Sequence, residues 1–254
     1  DPWYRFYFHN GKTFDYRPSI EDTNNEIRKF DENDVKGYDK LLKTSKDIFE
    51  IGFEKLSDKP FISFWEMAKQ LPSLIKLKSY LTVSQLVNSK LKNKYLRKAF
   101  SIHPLLVGGN PFTTTSIYAL IHYLERKWGV YFCMGGTGKI VKELENLMVR
   151  QGIDIKKQSD VERISITNGK AENVVLTDGS KIEADLVICN ADPPTVYSEM
   201  LPSKYSRDSL LKPKKFTHYS MGLYVLFFGS KKKFSNVAHH TIWMSERYKE
   251  LLHD

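Results

Sequence analysis

Glu66 and Lys69 are the side chains best placed for acid–base chemistry in this sequence. They lie one helical turn apart, directly after the apolar residues 61–65, and residues at i and i+3 of a helix can interact. Burial beside that apolar run would shift both proton affinities toward values useful for proton transfer. The pattern predicts a candidate catalytic pair, with an exposed surface ion pair as the alternative.

A second candidate site is the glycine turn at residues 135–139, Gly-Gly-Thr-Gly-Lys. A phosphate-binding P-loop needs a glycine where Cys133 stands and a Ser or Thr where Ile140 stands. The dinucleotide fingerprint also fails, because Val141 occupies the place of its third glycine. The segment therefore predicts a tight turn that feeds a helix N-terminus, either as an anion or dipole site or as a packing turn without a ligand.

Histidine and cysteine do not form a metal-binding pattern. Cys133 and Cys189 do not cluster with histidines, and the pair His239 and His240 has no partner at metal-ligand spacing. His103 is expected to be a hydrogen-bonded core histidine. We predict no metal site, and the low cysteine count favours a reducing cytoplasm.

Positive charge is concentrated in one part of the chain. The net charge is +9, and no acidic residue lies between Glu66 and Glu125. Apolar residues recur there at helical spacing, which predicts basic amphipathic helices that bind an anionic bilayer with roughly 1 kcal/mol per cation. A solvated basic face is the alternative, and nucleic acid is not expected because no base-reading module is recognisable. The cations are Lys69, Lys76, Lys78, Lys90, Lys92, Lys94, Arg97 and Lys98.

Residues 99–124 carry no charge and are long enough to span a bilayer. Proline and glycine interrupt them at His103-Pro104 and at residues 108–111, and such breaks are poorly tolerated facing lipid. We predict a buried, partly irregular segment that lines an apolar cavity.

The first part of the chain is predicted to be a hairpin followed by helices. Asn10-Gly11 is a strong hairpin dipeptide between strands at residues 4–9 and 13–16. Asp31 or Asn33 is expected to cap a helix that ends near residue 56. Shorter helices are expected at residues 63–70, 72–81, 83–88, 93–99 and 116–126.

After Gly129 we expect a strand, then the glycine turn and a helix to about Gly152. Asn168-Gly169 and Asp178-Gly179 are turn signals between further strands. Residues 186–189 form a short apolar run that suits a buried parallel strand. The other strands are expected near residues 161–166, 171–176 and 181–182, and in a β-rich stretch at 215–228 centred on 224–228.

Several of these motifs occur together in one known family. They are residues 103–112 (HPLLVGGNPF), 116–118 (SIY), 124–126 (LER), 128–130 (WGV), 135–138 (GGTG) and 191–192 (AD). With them the sequence resembles the bacterial-type phytoene desaturases, which are FAD-dependent carotenoid desaturases of the amine oxidase superfamily. The match runs along essentially the whole chain.

The resemblance implies an α+β / α/β fold, in which a substrate domain of sheet plus helices is joined to an incomplete FAD-binding, Rossmann-like domain. It implies residues 1–132 as the first part of a substrate- and membrane-associated domain, 133–194 as the partial FAD-binding domain, and 195–254 as the return to the substrate domain. Family members also carry a GxGxxG flavin fingerprint that is absent here. We therefore expect an internal fragment of a longer enzyme, inactive alone.

The resemblance also implies particular site residues. Val161 matches a position whose backbone meets the adenine of FAD, and Asn190, Ala191 and Asp192 end a strand that approaches the cofactor. Glu66 and Lys69 match a carboxylate and a basic residue proposed to assist catalysis. In the family these are usually Asp and Arg, and Lys does not reproduce the geometry of Arg.

The implied activity is dehydrogenation of a polyene such as phytoene in carotenoid biosynthesis, with hydride passing to FAD. Such a substrate has no polar group, so recognition depends on buried apolar area at about 25 cal/mol per Å². Delivery from a bilayer implies peripheral contact with the cytoplasmic membrane. A polyene saturase, an amine oxidase and a non-catalytic lipid-binding module remain alternatives.

Overall fold

The protein has a mixed helix-and-sheet structure, described by a computed structural model for residues 1–58, 64–206 and 219–252. Its strands are β1 (Tyr4–Phe8), β2 (Thr13–Tyr16), β3 (Val161–Thr167), β4 (Lys170–Leu176), β5 (Lys181–Glu183) and β6 (Thr241–Met244). Its helices are α1 (Ile20–Arg28), α2 (Asn33–Gly52), α3 (Phe64–Lys76), α4 (Val83–Asn88), α5 (Lys94–Ser101), α6 (Leu120–Trp128), α7 (Thr137–Arg150), α8 (Pro193–Thr195) and α9 (Ser203–Ser206). Short 3₁₀ turns cover His103–Val107, Ser116–Ala119 and Glu250–Leu252, and a π turn covers Val196–Met200.

The chain divides into two compact units. The first combines Asp1–Tyr131 with Ser220–Asp254, and the second is Phe132–Tyr219. Each unit has its own three-stranded sheet, ordered β2-β1-β6 in the first and β3-β4-β5 in the second. Among the described helices none is both long and apolar enough to cross a membrane.

The first sheet joins the two ends of the chain. β1 and β2 form the predicted antiparallel hairpin, and Gly11 in its turn has a φ of +79° that favours glycine. β6 then adds to β1 in parallel, with Arg5 opposite Thr241 and Phe8 opposite Met244. Residues near 242 are thereby held beside the first strand.

Helices pack on this sheet around an aromatic core. Phe6, Phe14 and Phe100 are at most 2% exposed, and their burial removes large apolar surfaces from water. Asp34 at the start of α2 is also buried, and its carboxylate accepts hydrogen bonds from the backbone N–H groups of Lys92 (2.7 Å) and Asn93 (2.8 Å). This carboxylate attaches the segment before α5 to α2.

The structure confirms most of the predicted helices with different bounds, whereas α1, α8 and α9 were not predicted. α2 ends at Gly52 rather than near 56, and its N-cap is Glu32, while Asp31 accepts a hydrogen bond from the Asn33 backbone N–H at 2.9 Å. α3 continues through Pro72 as one helix, where two helices were predicted. Proline removes one N–H from the ladder, and this helix continues past it to Lys76.

The second unit contains α7 and an antiparallel meander of β3, β4 and β5. These elements lie within a residue or two of their predicted bounds. The turns between the strands carry positive φ values at Asn168 (51°), Gly169 (80°) and Gly179 (85°). The turn dipeptides were therefore the informative signal.

Three strand predictions are wrong. Residues 130–133 and 224–228 form no strand, and Tyr224 and Phe227 are 89% and 91% exposed. Residues 186–189 also form no strand, and Ile188 is 88% exposed. A parallel strand depends on hydrogen-bonded neighbours, and no described strand pairs with any of these segments.

Candidate active site

A buried polar cluster joins β1, the 3₁₀ turn His103–Val107 and α6 in the first unit. The Tyr4 hydroxyl donates to Glu125 Oε1 at 2.8 Å, and His103 Nε2 lies 3.0 Å from Glu125 Oε2. Glu125 is 4% exposed and His103 is 3% exposed. Because an unpaired buried carboxylate is costly, a phenol and an imidazole on either side stabilise this one.

His103 Nε2 and Glu125 Oε2 share one hydrogen bond, and the tautomer of the histidine sets which of them donates. His103 Nδ1 is buried and has no hydrogen-bond partner among the described residues. Burial, followed by the charge of Glu125, raises the pKa of Tyr4 well above its ordinary value, so the phenol remains a donor at neutral pH.

A second histidine packs against the first. The rings of His103 and His122 are 3.9 Å apart between centroids, and His122 Nε2 lies 2.9 Å from the carbonyl oxygen of Phe100. Burial, and then the charge of His103, lower the pKa of His122 well below its ordinary value. His122 is therefore held neutral and donates its Nε2–H to Phe100.

Local sequence explains where His103 sits. Pro104 stands at the start of the 3₁₀ turn, where a missing N–H costs little. Gly108 ends the turn at a φ of +73°, and its N–H bonds back to the carbonyls of Pro104 and Leu105. The proline and glycine that excluded a membrane span thus form the tight turn that carries the histidine.

Arg126 positions α6 against the hairpin. Its guanidinium lies 4.4 Å from the centre of the Tyr16 ring and donates to the Tyr38 hydroxyl at 2.8 and 3.0 Å. It also donates to the Thr23 hydroxyl and to two backbone carbonyls after β2. Such multidentate contacts are specific to Arg, and they hold α6 with Glu125 beside β1.

A cavity of about 210 Å³ lies beside the cluster. Among the described residues that line it, most are aliphatic, and only Tyr4 and His103 have polar side chains. This composition suits an apolar ligand whose position is fixed next to a few polar groups. The lining residues are Tyr4, Ile102, His103, Leu105, Leu106 and Ile242.

The catalytic pair predicted from sequence lies on α3. Lys69 is exposed, and the side chain of Glu66 lies outside the described part of the structure. Their interaction and their role therefore stay predictions.

The residues that the resemblance assigns to FAD lie in the second unit. Val161 begins β3 opposite Leu176 and is 39% exposed. Asn190, Ala191 and Asp192 are exposed, and no described residue hydrogen-bonds to the side chains of Asn190 or Asp192. Their polar groups are accessible to a ligand, and their contact with FAD stays a prediction.

The glycine turn has the predicted form. Gly135 and Gly136 have φ values of +93° and +84°, and α7 begins directly after them without a side-chain cap. A Cβ at Gly136 would meet nothing within 4 Å. The turn therefore feeds a helix N-terminus, and whether it binds a ligand stays open.

Sequence reasoning identified His103 as a hydrogen-bonded core residue, which the structure confirms. It did not pair His103 with Tyr4 or Glu125. The sequence did contain one signal for Glu125. It is the first acidic residue after Glu66, and it follows apolar residues on α6. Pairing it with Tyr4 across 121 positions of sequence requires the fold.

Relatives match the chain from end to end. A protein named phytoene desaturase (lycopene-forming) from Pseudescherichia vulneris is 39% identical over 254 residues, which cover 99% of this chain and 51% of the relative. One with the same name from Paracoccus sp. is 39% identical over 253 residues, 100% of this chain and 50% of the relative. Phytoene desaturase (neurosporene-forming) from Cereibacter sphaeroides is 34% identical over 260 residues, with 100% and 50% coverage.

The chain spans about half the length of the curated relatives it matches. The family model for flavin containing amine oxidoreductases matches residues 1–253. Membership in a flavin-containing family, together with these relatives, implies FAD as the cofactor. The chain belongs to the flavin-containing amine oxidoreductase family.

Proposed function

We propose that this chain is part of an FAD-dependent desaturase that dehydrogenates a polyene such as phytoene in carotenoid biosynthesis. The observation that carries the proposal is end-to-end similarity to proteins named phytoene desaturase. The aliphatic cavity beside Tyr4 and His103 supports it, since a polyene offers only apolar surface for recognition. An amine oxidase would need polar groups for its amine, and none of the described residues that line the cavity is a carboxylate.

FAD would be held by the second unit as part of a Rossmann-like domain. Val161, Asn190, Ala191 and Asp192 would contact it, and their accessibility supports this assignment. The domain bounds that we propose are 133–194 for the flavin part and 1–132 with 195–254 for the substrate part. The structure divides into two units near 131 and 220, and the proposed bound at 194 differs from the second of these positions.

Bound FAD would supply the oxidant that accepts two electrons and a hydrogen as hydride. The chain's own contribution would be an aliphatic wall against which part of the polyene packs. Glu66 and Lys69 are proposed to assist proton handling from α3.

The test compares the 254-residue chain with a form extended to the length of its relatives. The extended form is expected to bind FAD in a titration and to convert phytoene to products with more conjugated double bonds, measured by absorbance and chromatography. Failure of the extended form to bind FAD would overturn the enzyme proposal. Hydrogenated products would instead favour a polyene saturase, and binding of phytoene without turnover would favour a lipid-binding module.

The role of Glu66 has its own test in that extended form. Glu66→Gln is expected to lower kcat about 100-fold or more, the usual contribution of a proton-transfer group. Glu50→Gln is the matched control, because Glu50 is a half-exposed carboxylate on α2. Equal activity of both variants would remove Glu66 from the mechanism.

We also propose that the first unit contacts the cytoplasmic membrane peripherally. α3 exposes Leu71 and Ile75, 54% and 57% exposed, next to exposed Lys69 and Lys76. A surface cleft of about 270 Å³ that includes Phe112 is lined by four cations and two carboxylates, which are Lys94, Arg97, Lys98, Lys249, Glu246 and Glu250. Apolar side chains beside cations are the combination that binds an anionic bilayer.

Vesicle flotation tests this surface with the 254-residue chain. Changing Lys76, Lys94 and Lys249, which are exposed cations of this surface, to Glu is expected to abolish flotation with phosphatidylglycerol vesicles at low salt. The matched control changes Lys142, Lys170 and Lys181, which are exposed on the second unit. Equal loss in both triple variants, or none in either, would contradict the assigned surface.

A further inference from the structure

The aliphatic cavity of the first unit is closed on one side and open on the other. The His103 ring in its wall is 3% exposed and packs on the buried ring of His122, with 3.9 Å between the centroids. Tyr4 also lines the cavity, and its ring stacks on the buried Tyr16 at 6.2 Å. Leu106, in contrast, is a lining residue that is 58% exposed. The cavity therefore opens beside Leu106, and a chain that enters there must end inside it.

The volume of the cavity limits how much of a substrate it can hold. It measures about 210 Å³, whereas pockets that enclose a whole drug-sized ligand measure about 300–1,000 Å³. An apolar cavity of about 150 Å³ is known to take up one benzene molecule. By that comparison this cavity has room for roughly one or two isoprene units. The rest of a polyene would lie outside it.

The wall favours a hydrocarbon over an oxygenated group. Four of the six described residues that line the cavity are aliphatic. The two polar side chains already share a partner, because the Tyr4 hydroxyl and His103 Nε2 both bind the Glu125 carboxylate, at 2.8 and 3.0 Å. A hydroxyl or carbonyl that enters the cavity gives up its hydrogen bonds to water, and such a loss is costly unless it is replaced. A hydrocarbon end loses no hydrogen bond on entry.

Four other clefts in the described part of the chain have charged walls. The 270 Å³ cleft contains Lys94 and Glu246, and a cleft of about 380 Å³ beside α7 contains Lys139 and Glu143. The remaining two contain Lys170 or Lys249 together with other polar residues. Packing a hydrocarbon against these side chains would remove water from charged groups. The cavity beside Leu106 is therefore better suited to a hydrocarbon than these four clefts.

We propose that this cavity is a subsite for the unoxygenated hydrocarbon end of the polyene, and that Leu106 at its mouth is a specificity-determining residue. This rests on the proposed function, which makes a polyene the substrate. A chain whose end carries a hydroxyl or a carbonyl would be selected against at this subsite, because the described lining offers it few partners.

Nuclear magnetic resonance of the methyl-labelled 254-residue chain tests the subsite without turnover. Myrcene, a small isoprenoid hydrocarbon, is expected to shift the methyl resonances of Leu105, Leu106 and Ile242. Hydroxygeraniol has the same carbon skeleton with a hydroxyl at each end, so either end that enters must bury a polar group. It is expected to bind at least about fivefold more weakly than myrcene. No response to myrcene, or equal or tighter binding of the diol, would overturn the proposal.

Two neighbouring substitutions test the role of Leu106. Leu106→Asp places a carboxylate at the mouth of the cavity and is expected to weaken myrcene binding at least about tenfold. Val107→Asp is the matched control, because Val107 is 56% exposed and is absent from the described lining of the cavity. Equal affinity of the two variants for myrcene would overturn the assignment of Leu106. If Leu106→Asp does not fold by circular dichroism, the comparison of myrcene with the diol in the wild-type chain still decides the proposal.

Kinetics of the extended, FAD-loaded form separate this proposal from the proposed function. Leu106→Asp is expected to raise KM for phytoene about tenfold with little change in kcat, as loss of a contact made equally in the ground and transition states does. Val107→Asp should retain the wild-type values. An inactive wild-type extended form contradicts the desaturase function, whereas an active wild type with the same KM in both variants overturns the subsite alone.

Discussion

Glu125 and Arg126 are neighbours in sequence with opposite charges, yet each is paired elsewhere. Glu125 binds Tyr4 and His103, whereas Arg126 binds Tyr38 and the region after β2. Successive residues of a helix point about 100° apart, so α6 directs its carboxylate and its guanidinium into separate environments. This separation leaves the carboxylate available for the histidine.

His122 makes stability depend on pH. Its pKa is lowered in the folded protein, so below about pH 6.5 the unfolded state binds a proton that the folded state does not. The free energy of unfolding is therefore expected to fall as the pH drops below about 6.5, by up to about 1.4 kcal/mol per pH unit. Urea unfolding of the 254-residue chain at several pH values measures this slope.

Variants of two histidines show which group causes the pH dependence of the free energy of unfolding. His122→Gln is expected to flatten the slope below pH 6.5, whatever its effect on absolute stability. His9→Gln should retain the slope, because His9 has a side chain that is 35% exposed. An unchanged slope in the His122 variant would assign the acid sensitivity to another group.

At the scale of elements, α2 packs unusually close to the segment before α5. A Cβ added to Gly37 would lie 2.3 Å from the carbonyl oxygen of Lys90 and 3.1 Å from the side chain of Leu91. The clash is with backbone, which cannot move aside easily. Together with the Asp34 hydrogen bonds to Lys92 and Asn93, this contact fixes α5 on α2.

Gly37→Ala is therefore expected to destabilise the first unit by about 1–3 kcal/mol, as overpacking does, although alanine normally favours a helix. Gly138→Ala is the control, because Gly138 is helical and a Cβ there meets nothing within 4 Å. That substitution should raise stability by about 0.5–1 kcal/mol. Thermal unfolding compares the two, and stabilisation by Gly37→Ala would contradict the close approach.

Local sequence signals such as turn dipeptides predicted the hairpins, but they did not predict which strands pair across long sequence separations. Turn dipeptides such as Asn10-Gly11 and Asn168-Gly169 act over a few residues, and both hairpins followed from them. The second neighbour of β1 is β6, Thr241–Met244, a strand that was not predicted from the sequence. Parallel pairing across most of the chain leaves no local signal, so this strand could not be found from hydropathy alone.

At the scale of the whole molecule, the two units differ in how completely they bury their apolar surface. The first unit has a continuous aromatic and aliphatic core. In the second, no residue of α7 is buried, and Leu186 and Ile188 are 75% and 88% exposed. Exposed apolar faces of this kind mark surfaces that pack against further protein, which agrees with the proposal that the flavin domain is larger than the part seen here.

The candidate site could be predicted only in part from the sequence, because its residues come from elements that are far apart along the chain. The aliphatic cavity and the buried His103 followed from an uncharged, proline- and glycine-interrupted segment. The Tyr4 and Glu125 partners did not, because they come from β1 and α6 and meet only after the first unit has folded.

Ile188→Asp distinguishes an exposed segment from one that is buried in a larger domain. In the 254-residue chain the substitution should change the free energy of unfolding by no more than about 0.5 kcal/mol, because the side chain is 88% exposed. In the form extended to the length of the relatives, residues 186–189 are expected to become a buried strand, so the same change should cost about 1–3 kcal/mol and weaken FAD binding. Lys170→Asp, at an exposed position of β4, should have little effect in either form. Equal effects of Ile188→Asp in the two forms, measured by urea unfolding, would contradict the proposed completion of the domain.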